Sequence, residues 1–175
     1  MARSWVDERL GPGAFTRLVA GGSANAWPTA LLSSTWYPVE PLVDVLKTVA
    51  HQLRDSVENI TADISKRNAR NDLTSVYRAF LRMAGPEMTL KATSQLWATY
   101  VAFAEATIVT NEPGHYIGQC RGIPTHLFQW GCGTWRGFIP TAIEMCGGKN
   151  MNAQIIKKQR EGEHWMLQLE VKYER

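Results

Sequence analysis

The stretch His164-Trp165-Met166-Leu167-Gln168-Leu169-Glu170-Val171-Lys172-Tyr173 alternates without a break. Trp165, Leu167, Leu169, Val171 and Tyr173 fall on one side of a strand. His164, Met166, Gln168, Glu170 and Lys172 fall on the other. The spacing predicts a strand whose apolar side faces a covering layer and whose polar side does not. Working back along the chain, Glu161-Gly162 reads as a turn and the segment from about Met151 to Gln159 as the partner strand. Gly147-Gly148 is a helix stop. The residues before it, from about Leu127 to Cys146, read as a helix that Pro140 should kink, because proline lacks the amide hydrogen and clashes with the preceding turn. Earlier still, Thr107-Ile108-Val109-Thr110 is β-branched, Asn111-Glu112-Pro113-Gly114 is a turn, and His115 to Cys120 returns as a strand.

Everything upstream has helical periodicity. Ala14 to Val19 is a short helix closed by Gly21-Gly22. Leu42, Val45, Leu46, Val49 and Leu53 recur at spacings of three and four, with Pro38 and Pro41 suited to the opening turn. The polar stretch from Glu58 to Asn71 reads as a surface helix. Asp72 is placed to cap a helix carrying Leu73, Val76, Tyr77, Phe80 and Leu81. Gly85-Pro86 ends that helix, and Pro86 opens another through Met88, Leu90, Leu96, Trp97, Tyr100 and Val101. The expected fold is therefore α+β: N-terminal helices packed on an antiparallel sheet of two hairpins, which a kinked helix separates. No repeat or linker divides the chain, so residues 1–175 read as one domain.

Composition narrows the function classes. With 175 residues, 45% hydrophobic and 20% charged, the chain can bury a core without disulfides or metals. A net charge of +3 with scattered Lys and Arg gives no footprint for nucleic acid. The densest basic run, Lys157-Lys158-Gln159-Arg160, sits beside Glu161 and Glu163 and reads as a solvated hairpin tip. No apolar run approaches the roughly 20 residues of a membrane span, and the acidic start lacks the apolar core of a signal peptide. Cys120, Cys132 and Cys146 make an odd, widely spaced set, which points to a reducing, cytoplasmic setting rather than a disulfide framework.

No motif assigns a catalytic residue, a metal or a cofactor. Gly11-Pro12-Gly13, Gly131-Cys132-Gly133 and Gly147-Gly148 lack the spacing of phosphate-binding loops. Cys132 between two glycines could be an exposed nucleophile if His115, His126 or His164 came within reach, or a small buried side chain. His115, Cys120, His126 and Cys132 are spaced too widely for a structural zinc site. The aromatics say more. Trp130, Trp135 and Phe138 fall on the kinked helix, and Trp97, Tyr100 and Phe103 on or beside the preceding one. They either fill the core or line an apolar cavity. Gly131, Gly133 and Gly137 supply no side-chain volume beside them. The expected site is a pocket bounded by Trp97, Tyr100, Trp135 and Phe138, able to hold a hydrophobic small molecule.

Several segments occur in a recognisable order: Trp36-Tyr37-Pro38-Val39, then Val76-Tyr77-Arg78-Ala79-Phe80-Leu81-Arg82, Pro86-Glu87-Met88 and Leu96-Trp97-Ala98-Thr99-Tyr100. A Gly-rich helix and a hairpin follow. From about Gly11 to Tyr173 the chain resembles a family of bacterial proteins abundant as paralogues in myxobacteria. That family is distantly similar to the ligand-binding superfamily of vinyl-4-reductase domains, heme nitric-oxide-binding domains and TRAPP vesicle-tethering subunits. The resemblance implies helices packed on an antiparallel sheet with an apolar cavity between them. The heme branch uses an axial histidine on the helix before the first hairpin, and Lys91 to Phe103 contains none. It also uses a Tyr-x-Ser-x-Arg motif. Here Tyr116-Ile117-Gly118-Gln119-Cys120 has glycine for serine, with Arg121 one place late. Vinyl-4-reductase domains often carry cysteines near the last hairpin, and none follows Cys146.

The expectation is a non-enzymatic module of bacterial signalling. It would bind an apolar small molecule, a protein partner or a second copy of itself, without a cofactor. A heme-dependent gas sensor and a thiol enzyme using Cys132 are the alternatives.

Overall fold

The alternating segment forms β4 (His164–Glu174), which lies inside a four-stranded antiparallel sheet. Its neighbours are β2 (His115–Pro124) and β3 (Lys149–Glu161), with β1 (Glu105–Glu112) outside β2. The computed structural model describes residues 2–21, 35–72 and 78–175. Two hairpins, β1–β2 and β3–β4, join along β2 and β4, as the sequence predicts. Leu167, Leu169 and Val171 are fully buried on the inner row, opposite Cys120, Gly118 and Tyr116 of β2. The outer row is polar with one exception: Met166 is 1% exposed. It pairs with Arg121 and Gln159, and the long side chain of Arg121 reaches Glu161 at 3.0 Å. Polar side chains of that length shelter apolar neighbours on an open sheet face.

The helices are α1 (Ala2–Leu10), α2 (Ala14–Gly21), α3 (Glu40–Leu53), α4 (Val57–Asp72), α5 (Arg78–Tyr100) and α6 (Phe128–Met145). A 3-10 turn at Thr125–Leu127 leads into α6. The acid-containing start of the chain is itself a helix, with Trp5 and Val6 buried. α5 is two helices meeting at Gly85, whose φ of 74° and ψ of 172° are helix-incompatible, and Pro86 opens the second as expected. α6 runs through Pro140 to Met145. It ends where Gly148 N–H donates to Ile143 O and Gly147 N–H to Glu144 O, with Gly147 at φ 102°. That paired hydrogen-bond pattern needs a left-handed residue just past the helix, which glycine adopts without penalty. Of the stripe expected after Asp72, Leu73, Val76 and Tyr77 lie outside the described residues, as does Gly22. Asp72 itself closes α4.

α4 corrects the sequence reading. It is no surface helix, since Val57, Ile60, Thr61, Ala62, Ile64, Ser65 and Ala69 are all buried. It packs along α6 so closely that glycines stand where side chains would collide. A Cβ on Gly133 would strike Glu58 O and lie 2.7 Å from Thr61 Cβ, and one on Gly137 would strike Ala62 O. The space left by these glycines is filled by the α4 backbone. Polar α4 escapes a hydrophobic-period test because its contact surface is built of small residues.

Two hydrophobic clusters result. One joins α6 to the inner sheet face through Tyr116, Cys120, Trp135, Ile139, Leu167 and Leu169. The other joins α1–α4 through Trp5, Phe15, Leu46, Val49, Ile60 and Ile64. Trp130 of α6 packs against both. Among the described residues, no helix is long and apolar enough to cross a membrane.

Candidate functional site

The expected aromatic site lies where α5 meets α6. Trp97 and Trp135 meet edge to face, with ring centroids 5.6 Å apart and planes at 73°. Trp97 Nε1 donates to Ala104 O at 3.0 Å, which fixes its ring against the turn into β1. Trp135 is 3% exposed, and its Nε1 has no hydrogen-bond partner. Phe138 packs, partly buried, against the same cluster. Tyr100 does not join them, because it is 70% exposed at the end of α5. Three of the four residues are thus brought into one cluster and the fourth faces outward.

Beneath that cluster, the sheet is closed by an interlock. Tyr116, 1% exposed, lies over Gly118 of its own strand. A Cβ on Gly118 would collide with Tyr116 Oη and sit 2.7 Å from Trp135 Cζ3. Burial pushes the Tyr116 phenol well above its ordinary range, with a smaller push from Cys120.

Of the two readings of Cys132, the structure gives the small buried side chain. Its thiol is fully buried, and burial pushes it up to about 12. Cys120 is likewise 0% exposed and pushed up to about 12, first by burial and then by Cys132. Cys146 donates from Sγ to Thr89 Oγ1 at 3.1 Å, and burial raises its thiol too. The reactive form of cysteine is the thiolate, so none of the three is built as a nucleophile. The histidines that could activate one are elsewhere. His126 is on the surface, 3.4 Å from Glu40, and His164 is exposed. His115 stands on the outer sheet face, 2.9 Å from Glu170.

That outer face carries a polar cluster which sequence reasoning missed. Glu170 accepts from Gln154 at 3.0 Å and lies 3.5 Å from Lys172. The hydrogen bonds from Gln154 and His115 hold its carboxyl below the usual range. The cross-strand register assembles it, and only the strand order, with β4 between β2 and β3, could have announced it. Among the described residues, no three metal-ligating side chains converge. A shallow surface groove of about 270 Å³ lies between α3 and the start of α6, over Val43, Val57 and Trp130. Lys47 there is matched by Asp44 at 2.9 Å, and His126 lies 3.4 Å from Glu40. The groove offers a mixed surface and no concentrated charge.

No protein-family model and no curated protein matches the chain. Solved structures do. An oxygen-binding H-NOX domain related to soluble guanylate cyclases superposes with a TM-score of 0.72 at 6% identity, covering 99% of this chain and 92% of that one. The Fe(II) unliganded H-NOX protein from K. algicida gives 0.69 at 9% identity, covering 99% and 93%. A structure from work on heme redox potential and protein-induced porphyrin distortion gives 0.68 at 7% identity, covering 97% and 96%. The chain has the α+β fold of the H-NOX domains over essentially its whole length, the fold that the superfamily resemblance implies.

Proposed function

We propose that this domain is a non-enzymatic module of bacterial signalling that acts by binding a protein partner through its surface. The observation that carries this reading is the close packing of the described interior. Trp97, Trp135 and Tyr116 pack between the sheet and the helices, and the α4 backbone lies against the other side of α6. The three thiols that chemistry would need are buried and protonated. Likeness to H-NOX domains supports a sensory or regulatory setting, through fold alone. Native mass spectrometry of the purified chain, with titration by a fluorescent fatty-acid analogue, tests the proposal. A bare chain mass, or a complex with protein, together with no saturable uptake of the analogue supports it. A co-purified small molecule or saturable uptake refutes it.

The second reading is an apolar ligand held by Trp97, Tyr100, Trp135 and Phe138. What favours it is the orphaned, buried Nε1 of Trp135 beside Trp97. A buried donor without a partner costs about 1–3 kcal/mol, and a ligand oxygen could relieve it once the two tryptophan rings part. Saturable uptake of the analogue, weakened by Trp97→Ala and Tyr100→Ala, would establish this reading in place of the first.

A further inference from the structure

We infer that this chain is a heme-independent form of the H-NOX fold, its interior closed by its own side chains where a porphyrin would need room and an iron ligand. The inference stands apart from the partner proposed above. It rests on two observations.

The first is the ligand set. Heme iron is held by histidine, cysteine thiolate, methionine with histidine, or tyrosine. The chain has four histidines, at 51, 115, 126 and 164, and all lie among the described residues. His51, His126 and His164 are exposed, and His115 is engaged with Glu170 on the outer face of the sheet. None reaches the space between sheet and helices. Among the described residues, the buried thiols and phenols, Cys120, Cys132, Cys146, Tyr116 and Tyr173, sit where the protonated, weakly ligating form is favoured. Among the described residues, no lysine or arginine is buried to pair with a porphyrin carboxylate.

The second is space. A flat macrocycle needs a slot beside α6, and at the described glycine positions on two sides of that helix there is none. On the sheet side, Tyr116 and Trp135 leave no room for even a methyl group at Gly118, and a Cβ on Gly131 would lie 3.2 Å from Ile123. On the other side, Gly133 and Gly137 lie against the α4 backbone. The groove of about 270 Å³ is on the surface beside α3, and falls below the ~300–1,000 Å³ typical of small-molecule pockets.

The test titrates ferric heme, then dithionite-reduced heme, into the full chain produced under heme-limited growth. Soret absorbance and the unfolding midpoint are followed together. The expected result is absorbance that rises with added heme without a break at one equivalent. The midpoint should not shift, cooperative unfolding should occur without heme, and His115→Ala should give the same spectra. A saturable one-to-one complex with a shifted Soret band overturns the inference, whichever variant retains it. So does a chain that unfolds cooperatively only when heme is supplied.

Discussion

Leu169 and Gln168 are adjacent, yet they stand in opposite environments. Leu169 is fully buried opposite Gly118, and Gln168 lies on the outer row with its amide donating to Gln119 at 2.9 Å. Leu169→Ala is expected to destabilise by about 2–5 kcal/mol, the range for a buried leucine left as a cavity. Gln168→Ala removes one partly exposed hydrogen bond and should cost about 1 kcal/mol or less. Denaturant melts of the two variants check this, and equal losses would contradict the register. Gly137 supplies the opposite case. Gly137→Ala adds one methyl group against Ala62 O, a backbone atom that cannot rotate away. Overpacking of this kind costs ~1–3 kcal/mol where side chains can adjust, so a loss at or above that range is expected in the same melts. At the thiols, iodoacetamide should label none of Cys120, Cys132 and Cys146 before unfolding and all of them after it. Fast native labelling of Cys132 would restore the thiol-enzyme reading. These residues also mark the limit of sequence reasoning. Strict alternation gave Leu169 its face, because burial and period coincide there. The glycines of α6 carry no such signature. A missing side chain fits a void and a close backbone contact equally well, and only the neighbour, α4, decides between them.

Among the polar ties between elements, one gathers three of them at a single acidic residue. Glu87, in the first turn after the Gly85 break in α5, accepts from Tyr173 at 3.1 Å and from Arg175 at 2.8 Å. Its carbonyl accepts from Asn111 at 2.9 Å. α5, β1 and β4 are thus joined at one residue, Glu87, by its carboxylate and its carbonyl. Burial raises the Glu87 carboxyl, but the hydrogen bonds from Arg175, from its own amide and from Tyr173 outweigh that, and the net shift is downward. A carboxyl depressed in the folded state stabilises fully above its unfolded value, near pH ~4.3, and loses that contribution as pH falls through the folded value. The midpoint gap between wild type and Glu87→Gln should therefore be open at neutral pH and close below about pH 4. A gap that persists at pH 3 would show that Glu87 acts by packing rather than by charge. The clamp joins residues 87, 111, 173 and 175, and sequence spacing carries no trace of such a meeting. The elements themselves were more legible. Helices α2 and α3, both hairpins and the Gly147-Gly148 stop all follow local rules. α4 does not, since beside Val57, Ile60 and Ile64 it buries Thr61, Ala62, Ser65 and Ala69, small or polar residues that blur its apolar stripe.

On the scale of the whole molecule, the two hydrophobic clusters are unequal in how they are tied down. The sheet cluster is closed by strand pairing along three interfaces and by α6 across the inner face. The helical cluster of α1–α4 has no ladder to hold it; it rests on side-chain packing around Trp5, Phe15, Leu46, Val49 and Ile60 and on ties such as Arg67 to Glu8 at 2.7 Å. Trp130 contacts both clusters, and Arg136 donates to Glu58 at 2.9 Å, tying α6 to α4. Local opening follows the least-tied contacts, and helical segments packed only through side chains open at lower free energy than core strands. Native-state hydrogen exchange should therefore show amides of α1–α3 exchanging through a partial opening, below the global unfolding that releases β2, β4 and α6. Trp130→Ala removes packing from both clusters at once. If Trp130 couples them, the variant should lower the protection of α1–α3 more than that of β2 and β4, and so widen the gap. A uniform loss across the chain would mean a single cooperative unit, with the coupling carried by the α4–α6 backbone contact instead. The distinction bears on function. Under the proposed surface-binding reading, a part that opens without unfolding the rest would give a partner something to select. The helical layer is the part that its packing leaves freest to do so.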